Sequence, residues 1–465
     1  MNRIINRRRL TLAVAASLAV SGPACAITNI ESNAGPQFNF ISPGARSLGM
    51  AGAFTGLADD STAAFTNPAG LGQLSRREMD FEGRYTEFST VNVARGRLLG
   101  PPTGIGVDTI SGLETQSTKK SVTNPSFLSA AFPLSHGTLA VYRHELANFA
   151  ANFASDGPVV QTFGPGSPAP GNGRVNPTKN DIDLKIVDYG FAGSWRIGST
   201  WMIGGSVNYY RFDFNTLTRR YDFDANHDGV VTPLERLTVT DLSDAALFGL
   251  ASQKGSDGAF SYNVGALWIP NDRWSVGAVF RNGPSFNYHY DTHRIGIPQA
   301  LSSGTTDFTV PDVFSIGIGF RPSDAWRLSF DASRVFYSDH VKHVVTQSAG
   351  APVDYLTIND ATELRAGAEY TAINAKRPYS IRFGAWHEPD HQMYFNGTVV
   401  PFTGTALTPE ELQNNTRAAL FVRGKDAMHY SFGYGVVFKK LQLDAAVDLS
   451  TRADVLSISL AYFLN

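Results

Sequence analysis

Alternation of apolar and polar residues with a period of two is the feature that most constrains the fold of this chain. In residues 441–449, leucine, alanine and valine fill the odd positions, whereas Gln442, Asp444 and Asp448 lie at even positions. Such alternation predicts a β-strand whose two faces have different surroundings. Similar segments recur from about residue 78 onward, and no run of 18 apolar residues follows residue 26. A helical membrane span is therefore excluded.

About fourteen alternating segments can be counted, an even number of the kind that single-chain bacterial barrels require. They lie approximately at 78–88, 125–132, 137–149, 182–196, 200–214, 258–269, 273–282, 312–320, 325–337, 361–370, 379–387, 428–438, 441–449 and 453–463. Short connections such as 270–272 and 439–440 alternate with long ones such as 89–124 and 215–257, as in barrels with short periplasmic turns and long external loops. The predicted fold is all-β, a transmembrane antiparallel β-barrel of about 14 strands with both termini in the periplasm.

The composition favours a membrane barrel over a soluble β-sandwich, which is the alternative fold. Charged residues make up 17% of the chain, compared with roughly 25% in soluble domains. Aromatic residues lie near predicted strand ends, as in the aromatic girdle of a membrane barrel. They are Trp268, Trp274, Trp326, Tyr370, Phe438 and Tyr462. A sandwich would instead direct its apolar strand faces to a core and place few aromatics at strand ends.

Residues 1–26 predict a secretory signal peptide. Arg3 and the arginines at 7–9 precede an apolar segment, 10–20, and Ala24-Cys25-Ala26 offers a small-residue cleavage site. The paired arginines leave the twin-arginine route open. Cys25 is the only cysteine, so the mature chain would have no thiol chemistry. Export of a barrel-forming chain predicts the bacterial outer membrane, and the scattered basic residues predict no nucleic-acid partner.

A segment rich in glycine and alanine, residues 35–72, separates the signal peptide from the first predicted strand. Small residues allow close approach of backbones, and the segment has no clear period of 3.6 or 2. We interpret residues 27–76 as an N-terminal hatch that plugs the lumen of the barrel formed by residues 77–465. Phe38 and Phe40 are candidates for contact with an apolar ligand from the hatch side, and simple packing in the lumen is the alternative.

The hatch segment resembles the FadL-type outer-membrane transporters of long-chain fatty acids and other hydrophobic compounds. The resemblance is carried by residues 35–39 (GPQFN), 58–60 (ADD) and Asn67-Pro68-Ala69, with similar stretches at Pro311-Asp312 and 365–370. It implies fourteen strands, a luminal hatch that includes Asn67, Pro68 and Ala69, and a lateral opening in the wall beside a kinked strand. An ordinary turn is the alternative for Asn67-Pro68-Ala69, because asparagine before proline is held extended. The family's ligand-contacting residues lie in loops that do not match here and are not transferred.

The predicted function is a channel for passive uptake of hydrophobic small molecules such as long-chain fatty acids, with hatch gating and lateral release. Expected partners are this ligand and outer-membrane lipid. The chain is expected to act as a monomer and to need no organic cofactor. The alternative is a barrel component of a secretion, conjugation or attachment apparatus, because such proteins can share a similar hatch sequence. No enzyme is expected: residues 387–391 match the letters of a zinc-protease helix, but Pro389 opposes that helix.

Residues 224–235, with the sequence DANHDGVVTPLE, fit the calcium loop of an EF-hand position by position. The predicted ligands are Asp224, Asn226, Asp228, the backbone carbonyl of Val230, Thr232 and Glu235. Gly229 would provide the sharp turn. The flanks are not predicted to be helical, so bound Ca²⁺ would stiffen a long external loop. A solvent-exposed loop rich in Asp, Asn and Gly is the alternative.

Overall fold

The structure is a computed structural model that describes residues 35–160, 173–224, 226–296, 298, 300–340, 355–401 and 407–464. The predicted signal peptide and residues 27–34 of the predicted hatch lie outside the described residues. The strands are β1 (Arg77–Arg97), β2 (Gly112–Pro133), β3 (Gly137–Ser155), β4 (Thr178–Ile197), β5 (Trp201–Tyr221), β6 (Leu247–Asn271), β7 (Trp274–Arg281), β8 (Ser285–Arg294), β9 (Ser302–Thr309), β10 (Val313–Ser323), β11 (Trp326–Val335), β12 (Leu356–Thr357), β13 (Ala361–Thr371), β14 (Tyr379–Glu388), β15 (Tyr394–Phe395), β16 (Ala427–Val437), β17 (Leu441–Leu449) and β18 (Ala453–Leu464). The α-helices are α1 (Ala45–Leu48), α2 (Ala63–Thr66), α3 (Pro233–Thr238) and α4 (Pro409–Leu420), and two 3-10 helices span Pro68–Gln73 and Asp244–Ala246. Among the described residues, no helix has the length and apolar character needed to cross a membrane.

Fourteen of the described strands form a closed antiparallel barrel, as the sequence predicted. Their order around the barrel is β1, β2, β3, β4, β5, β6, β7, β10, β11, β13, β14, β16, β17 and β18. Pairing of β1 with β18 closes the sheet, so each of these strands has two neighbours. Closure satisfies the backbone groups that a free sheet edge would leave unpaired in lipid.

The first six strands are 19 to 25 residues long, and their predicted boundaries were wrong. A membrane requires only about 9–11 residues per strand, so these strands continue beyond it on the side of the long loops. The predicted loops 89–124 and 215–257 therefore contain the outer parts of β1, β2, β5 and β6, and 283–311 contains the hairpin of β8 and β9, which extends from the upper part of β6. Outside lipid the outward face no longer needs apolar residues, so the outer parts of β1, β2 and β6 lack the sustained alternation that marks a strand in the sequence.

The outward face of the barrel changes from apolar to charged along strand β4. On β4, the exposed Tyr189 and Phe191 lie at membrane level, whereas Asp181, Asp183 and Lys185 face outward above it. Aromatic pairs mark both limits of the apolar belt: Trp201 stacks on Trp268 (5.6 Å between ring centroids) near the short turns, and Tyr209 contacts Phe260 (5.2 Å) at the opposite limit. These are the girdles expected of a membrane barrel.

The lumen is polar where the sequence predicted polar strand faces. Asp444 and Asp448 of β17 are buried inside the barrel, whereas Leu443 and Leu449 are exposed on the outside. The inner face therefore offers hydrogen-bonding groups to whatever fills the lumen.

The hatch, described from residue 35 to 76, fills the lumen near the short turns, and Leu48, Phe54 and Phe65 are fully buried there. Its small residues allow direct contact with the wall: a Cβ added to Gly56 would lie 2.6 Å from the carbonyl carbon of Gly317 in β10. The described chain begins at Gly35 among the long loops, on the opposite side from the start of β1. The even number of strands predicted both termini in the periplasm and did not predict that Gly35 lies among the long loops.

Candidate functional site

Polar side chains of the wall hold the backbone of the hatch. The hatch has little regular structure, so its N–H groups need partners from outside the segment. Each of the following contacts joins a hatch N–H to a wall oxygen: Gly44 to Glu82 (3.0 Å), Ala45 to Ser459 (3.1 Å), Thr55 to Asp331 (2.7 Å) and Ser61 to Glu78 (3.1 Å). These wall residues replace the hydrogen bonds that a strand or helix would supply.

Arg46 in α1 is the centre of a buried ion-pair network between the hatch and the wall. Its guanidinium lies 2.7 Å from Asp59 and 2.9 Å from Asp60 within the hatch, and 3.0 Å from Glu369 in β13. Glu369 also accepts a hydrogen bond from Arg382 in β14 at 2.6 Å. Removal of one member would leave an uncompensated buried charge, which is strongly destabilising. The network therefore favours the seated position of the hatch.

Asn67, Pro68 and Ala69 form part of the contact between hatch and wall and line neither of the cavities described below. The Asn67 side chain is 0% exposed and donates to the carbonyls of Thr55 and of Ala266 in β6, each at 3.2 Å. Its Oδ1 accepts from the backbone N–H of Ala69 at 3.3 Å, which caps the 3-10 helix that begins at Pro68. The tripeptide thus joins a turn to the barrel wall.

An inner cavity lies between the first residues of the hatch and the barrel wall. Phe38 and Phe40 both line it and stack on each other at 5.6 Å. The facing wall is polar and includes Arg365, Glu388, His429, Asp448 and Arg452. Those charges are paired; His429, for example, lies 2.6 Å from Asp448 and 3.0 Å from Glu388. The cavity therefore has one aromatic side and one polar side.

An outer cavity lies among the long loops, above the inner one. The apolar part of its lining consists of Val91, Val93, Phe149, Phe153, Val175, Ile182, Met393, Leu420, Phe421 and Val422. Small-molecule sites are typically concave and lined mainly by apolar side chains. Gly35, the first described residue of the hatch, also lines this cavity, so the hatch extends between the two.

Backbone pairing between β2 and β3 ends well before either strand ends. The two strands pair only from Pro133–Thr138 to Phe127–His144, although β2 pairs with β1 as far as Gly112 and β3 pairs with β4 as far as Ser155. A bulge at Leu146 interrupts the pairing of β3 with β4. The Leu146 carbonyl accepts a 2.6 Å hydrogen bond from the N–H of Asn39 in the hatch.

Side chains bridge the gap between β2 and β3 where the backbones do not. Asn124 of β2 donates to Glu145 of β3 at 3.1 Å, and Arg143 of β3 donates to the Pro125 carbonyl of β2 at 2.6 Å. Asn124, Ser126 and Glu145 also line the inner cavity. The wall beside this cavity is thus closed by polar side chains over a stretch that has no backbone ladder.

Sequence reasoning missed most of the residues that build these features. Arg46 had a signal, since it is a lone cation in a segment of small residues and a buried cation needs a partner. The bulge at Leu146 gave no signal in the sequence, because the surrounding stretch 145–151 (ELANFAA) does not alternate and bulges have no residue signature of their own. Phe88 and Phe149, which lie where the two cavities meet, had none either.

The predicted calcium loop lies in the external connection between β5 and β6. Asp224 accepts hydrogen bonds from the N–H groups of Asp228 (3.2 Å) and Gly229 (2.8 Å), and Asn226 donates to Asp228 at 3.0 Å. Gly229 has φ +81°, the sharp turn expected at this position. Ala225 lies outside the described residues.

The C-terminal half of this loop differs from its prediction, because helix α3 begins at Pro233. Proline suits the first helical position, where no N–H is needed. The Thr232 hydroxyl accepts from the Glu235 N–H, and the Glu235 carboxylate accepts from the Thr232 N–H at 2.8 Å. Over the described ranges, no three His, Cys, Asp or Glu side chains lie close enough together to hold a metal ion. The donor types suit calcium, but Glu235 faces Thr232, so the calcium site stays a prediction.

Comparison with known proteins places this architecture among outer-membrane channels. The profile of the family described as outer membrane protein transport protein (OMPP1/FadL/TodX) matches residues 24–389. A Pseudomonas aeruginosa FadL homologue superimposes with a TM-score of 0.56 at 14% identity, over 91% of this chain and 99% of that chain. The Pseudomonas putida toluene transporter TodX gives a TM-score of 0.54 at 15% identity, over 92% and 99%. The monoaromatic hydrocarbon channel CymD gives the same four values. No protein with a curated description matches the sequence.

Proposed function

This chain belongs to the FadL/TodX family of outer-membrane transporters of hydrophobic compounds, and we propose that it is a passive channel with a gating hatch and lateral release. Long-chain fatty acids are the proposed ligand class. Two of the solved relatives are a toluene transporter and a monoaromatic hydrocarbon channel, so toluene is the second ligand to test. The observation that carries the proposal is the outer apolar cavity, which lies above a lumen whose wall lacks backbone pairing on one side.

Capture in the outer cavity is the first proposed step. The outer cavity is lined by aromatic and aliphatic side chains such as Phe153, Ile182 and Leu420. Transfer of an alkyl chain from water to such a surface gains roughly 0.8 kcal/mol per CH₂ group. The ligand then moves down to the inner cavity, where Phe38 and Phe40 offer an aromatic surface and the opposite wall offers polar groups to a carboxylate head group.

Lateral release through the gap between β2 and β3 is the second proposed step. The gap adjoins the inner cavity, and the contacts across it are side-chain hydrogen bonds such as Asn124 to Glu145. Breaking them costs less than breaking a backbone ladder, because polar side chains at the rim find water or lipid head groups as new partners. A hydrophobic ligand leaving there would enter the membrane without crossing the aqueous periplasm.

Movement of the hatch is proposed to couple these steps. The hatch donates from Asn39 to the Leu146 carbonyl at the bulge, so a shift of the hatch would release the gap from inside. We propose that the chain works as a monomer, because its barrel closes on itself and its apolar belt suits contact with outer-membrane lipid.

Calcium is a further part of the proposal. We propose that Ca²⁺ binds Asp224, Asn226, Asp228, the Val230 carbonyl, Thr232 and Glu235, and that Glu235 leaves its contact with Thr232 to do so. Hard cations of this kind prefer six to eight oxygen ligands. The ion would stiffen the external loop and take no part in transport itself.

A disulfide between hatch and wall tests the hatch. Ser61 of the hatch and Ser129 of β2 are buried with their Oγ atoms 2.7 Å apart, so Ser61→Cys with Ser129→Cys would join them. Ser315 and Ser333, on the neighbouring wall strands β10 and β11, are equally buried at 2.8 Å and give a matched control that leaves the hatch free. The only native cysteine lies in the predicted signal peptide.

Uptake of radiolabelled palmitate and toluene would be measured in cells that lack their own channels for them. We expect the hatch disulfide to stop uptake and a membrane-permeant reductant to restore it, whereas the control disulfide has no effect. Unchanged uptake, with the disulfide verified by mass spectrometry, would rule out movement of the hatch. Wild-type uptake no faster than that of cells without the protein would contradict the transport proposal for these two ligands.

A further inference from the structure

The inner and outer cavities meet along β1 and β3. On the inward face of β1, Thr86 and Phe88 line the inner cavity, whereas Thr90 lines the outer one. On β3, Asn148 lines the inner cavity and the next residue, Phe149, lines the outer one. The boundary between the two cavities therefore lies at Phe88 and Phe149.

The two phenylalanine rings contact each other across this boundary. Their centroids are 5.1 Å apart and their planes are inclined by 73°, the edge-to-face geometry that aromatic pairs prefer. Phe149 is 3% exposed and belongs to the main apolar core, and Phe88 packs against that core. Phenyl rings have no hydrogen-bonding groups, so apolar packing alone holds the two rings together.

The two rings are carried by backbones with different support. Phe88 lies opposite Lys120 in β2 and Ala453 in β18, so the backbone of β1 is paired on both sides there. Phe149 lies opposite Leu184 in β4, beyond the point where β3 pairs with β2. The β3 backbone is thus paired on one side only at this level. The strand that carries Phe149 also borders the gap in the wall.

We propose that Phe88 and Phe149 form an aromatic gate that a ligand must pass between the outer and the inner cavity, and that it selects by width. The inference rests on the transport function proposed above. A single alkyl chain passes when one ring turns aside, whereas a broad, non-planar molecule requires both rings and the β3 backbone to move. The gate therefore favours slender molecules such as fatty acids over bulky polycyclic ones.

Alanine variants test the gate with two probes of different width. Palmitate is the slender probe, and N-phenyl-1-naphthylamine, whose fluorescence rises in lipid, is the broad one. The variants are Phe88→Ala and Phe149→Ala, with Phe88→Leu as the conservative change. Phe81→Ala is the matched control, because Phe81 lies on the same strand but is 48% exposed on the outer face. Palmitate binding to the purified variants shows that the cavities are intact, and nitrocefin uptake by the cells detects general leakage.

For wild type we expect palmitate uptake well above that of cells without the protein, and slow uptake of the broad probe. Either alanine variant should raise the initial rate for the broad probe roughly fivefold and change the palmitate rate less than about twofold, as loss of one aromatic pair implies. Phe88→Leu should lie between, and Phe81→Ala should match wild type. Three results would overturn the gate but not the transport function. The first is palmitate uptake with no faster uptake of the broad probe in either alanine variant. The others are an equally faster uptake of the broad probe in Phe81→Ala, or a parallel increase in nitrocefin uptake. Failure of wild type to transport palmitate would instead overturn the fatty-acid function and the gate with it.

Discussion

The imidazole of His340 lies in surroundings that disfavour its charged form. It follows β11 on the side of the long loops, where its ring contacts Phe308 at 4.6 Å and Phe38 of the hatch at 5.9 Å. Its Nδ1 lies 2.8 Å from the Thr309 carbonyl, as expected for a neutral imidazole that donates its one proton. Burial lowers the pKa of His340 to about 4, compared with about 6.5 in an unfolded chain. Because the His340 ring packs against Phe38, protonation of His340 would disturb the packing of Phe38.

The pKa of His340 predicts that acid weakens the fold. Between pH 6.5 and 4 the unfolded chain binds a proton at this residue and the folded chain does not, so stability falls as the pH falls through that window. The contribution at pH 5 is about 2 kcal/mol. The free energy of unfolding, measured by urea titration in detergent micelles at pH 7 and pH 5, should therefore change less in His340→Gln than in wild type. His136→Gln, in the exposed turn between β2 and β3, is the control. An equal pH effect in His340→Gln and wild type would contradict the assignment.

Two helices of the external loops, α3 and α4, begin with the same sequence pattern. Thr232-Pro233-Leu234-Glu235 begins α3 and Thr408-Pro409-Glu410-Glu411 begins α4, and each forms a reciprocal capping box with proline at the first helical position. Only the first follows a run of Asp224, Asn226 and Asp228. The two helices therefore allow a proposed calcium ligand to be compared with an ordinary helix cap, because Glu235 and Glu411 have the same structural role and different surroundings.

Calcium should protect the first of these elements and leave the second unchanged. We expect added Ca²⁺ to slow proteolysis of the loop between β5 and β6, and a chelator to reverse the effect, because six oxygen ligands would hold the loop together. Glu235→Gln should abolish the protection, whereas Glu411→Gln makes the same change at a comparable cap and should keep it. Terbium luminescence would report binding directly. Equal protection in wild type and Glu235→Gln would rule out the proposed ligand set.

The hatch and the barrel depend on each other unequally. The fourteen barrel strands pair with one another, and none of them pairs with a hatch strand among the described residues. In contrast, the hatch obtains hydrogen bonds from wall residues such as Glu82 and Asp331 and an ion pair from Glu369. The barrel provides its own backbone pairing, and the hatch relies on the barrel for its position.

Deletion of residues 35–72 should therefore leave a barrel that assembles but is leaky and less stable. Without the hatch, buried wall carboxylates such as Glu369 lose partners and the lumen fills with water, so unfolding requires less heat. Ion conductance in planar bilayers should rise, because the lumen is then open to both sides. Heat-modifiable electrophoretic migration would report barrel assembly, and a variant lacking residues 226–238 of the external loop is the control. Failure to assemble, or conductance equal to that of wild type, would contradict this division of roles.

The sequence alone determined the number of barrel strands, the direction in which their side chains point and the presence of a hatch of small residues. These properties are local: a strand that faces lipid on one side and a polar lumen on the other must alternate within each short segment, as Asp444 and Asp448 do in β17. The sustained alternation ended near the edge of the membrane in β1, β2 and β6, which is why about half of each of these strands was predicted as loop. The family resemblance then assigned the class of function.

Tertiary structure alone decided where the pathway lies. The partners of Arg46 and Asn39 in the wall, Glu369 and Leu146, are more than a hundred residues away in sequence, and nothing near either residue specifies them. The end of the β2–β3 ladder and the contact of Phe88 with Phe149 depend in the same way on how distant strands register when the barrel closes. Local pattern sets which face of a strand is polar, but only closure of the sheet brings particular side chains together.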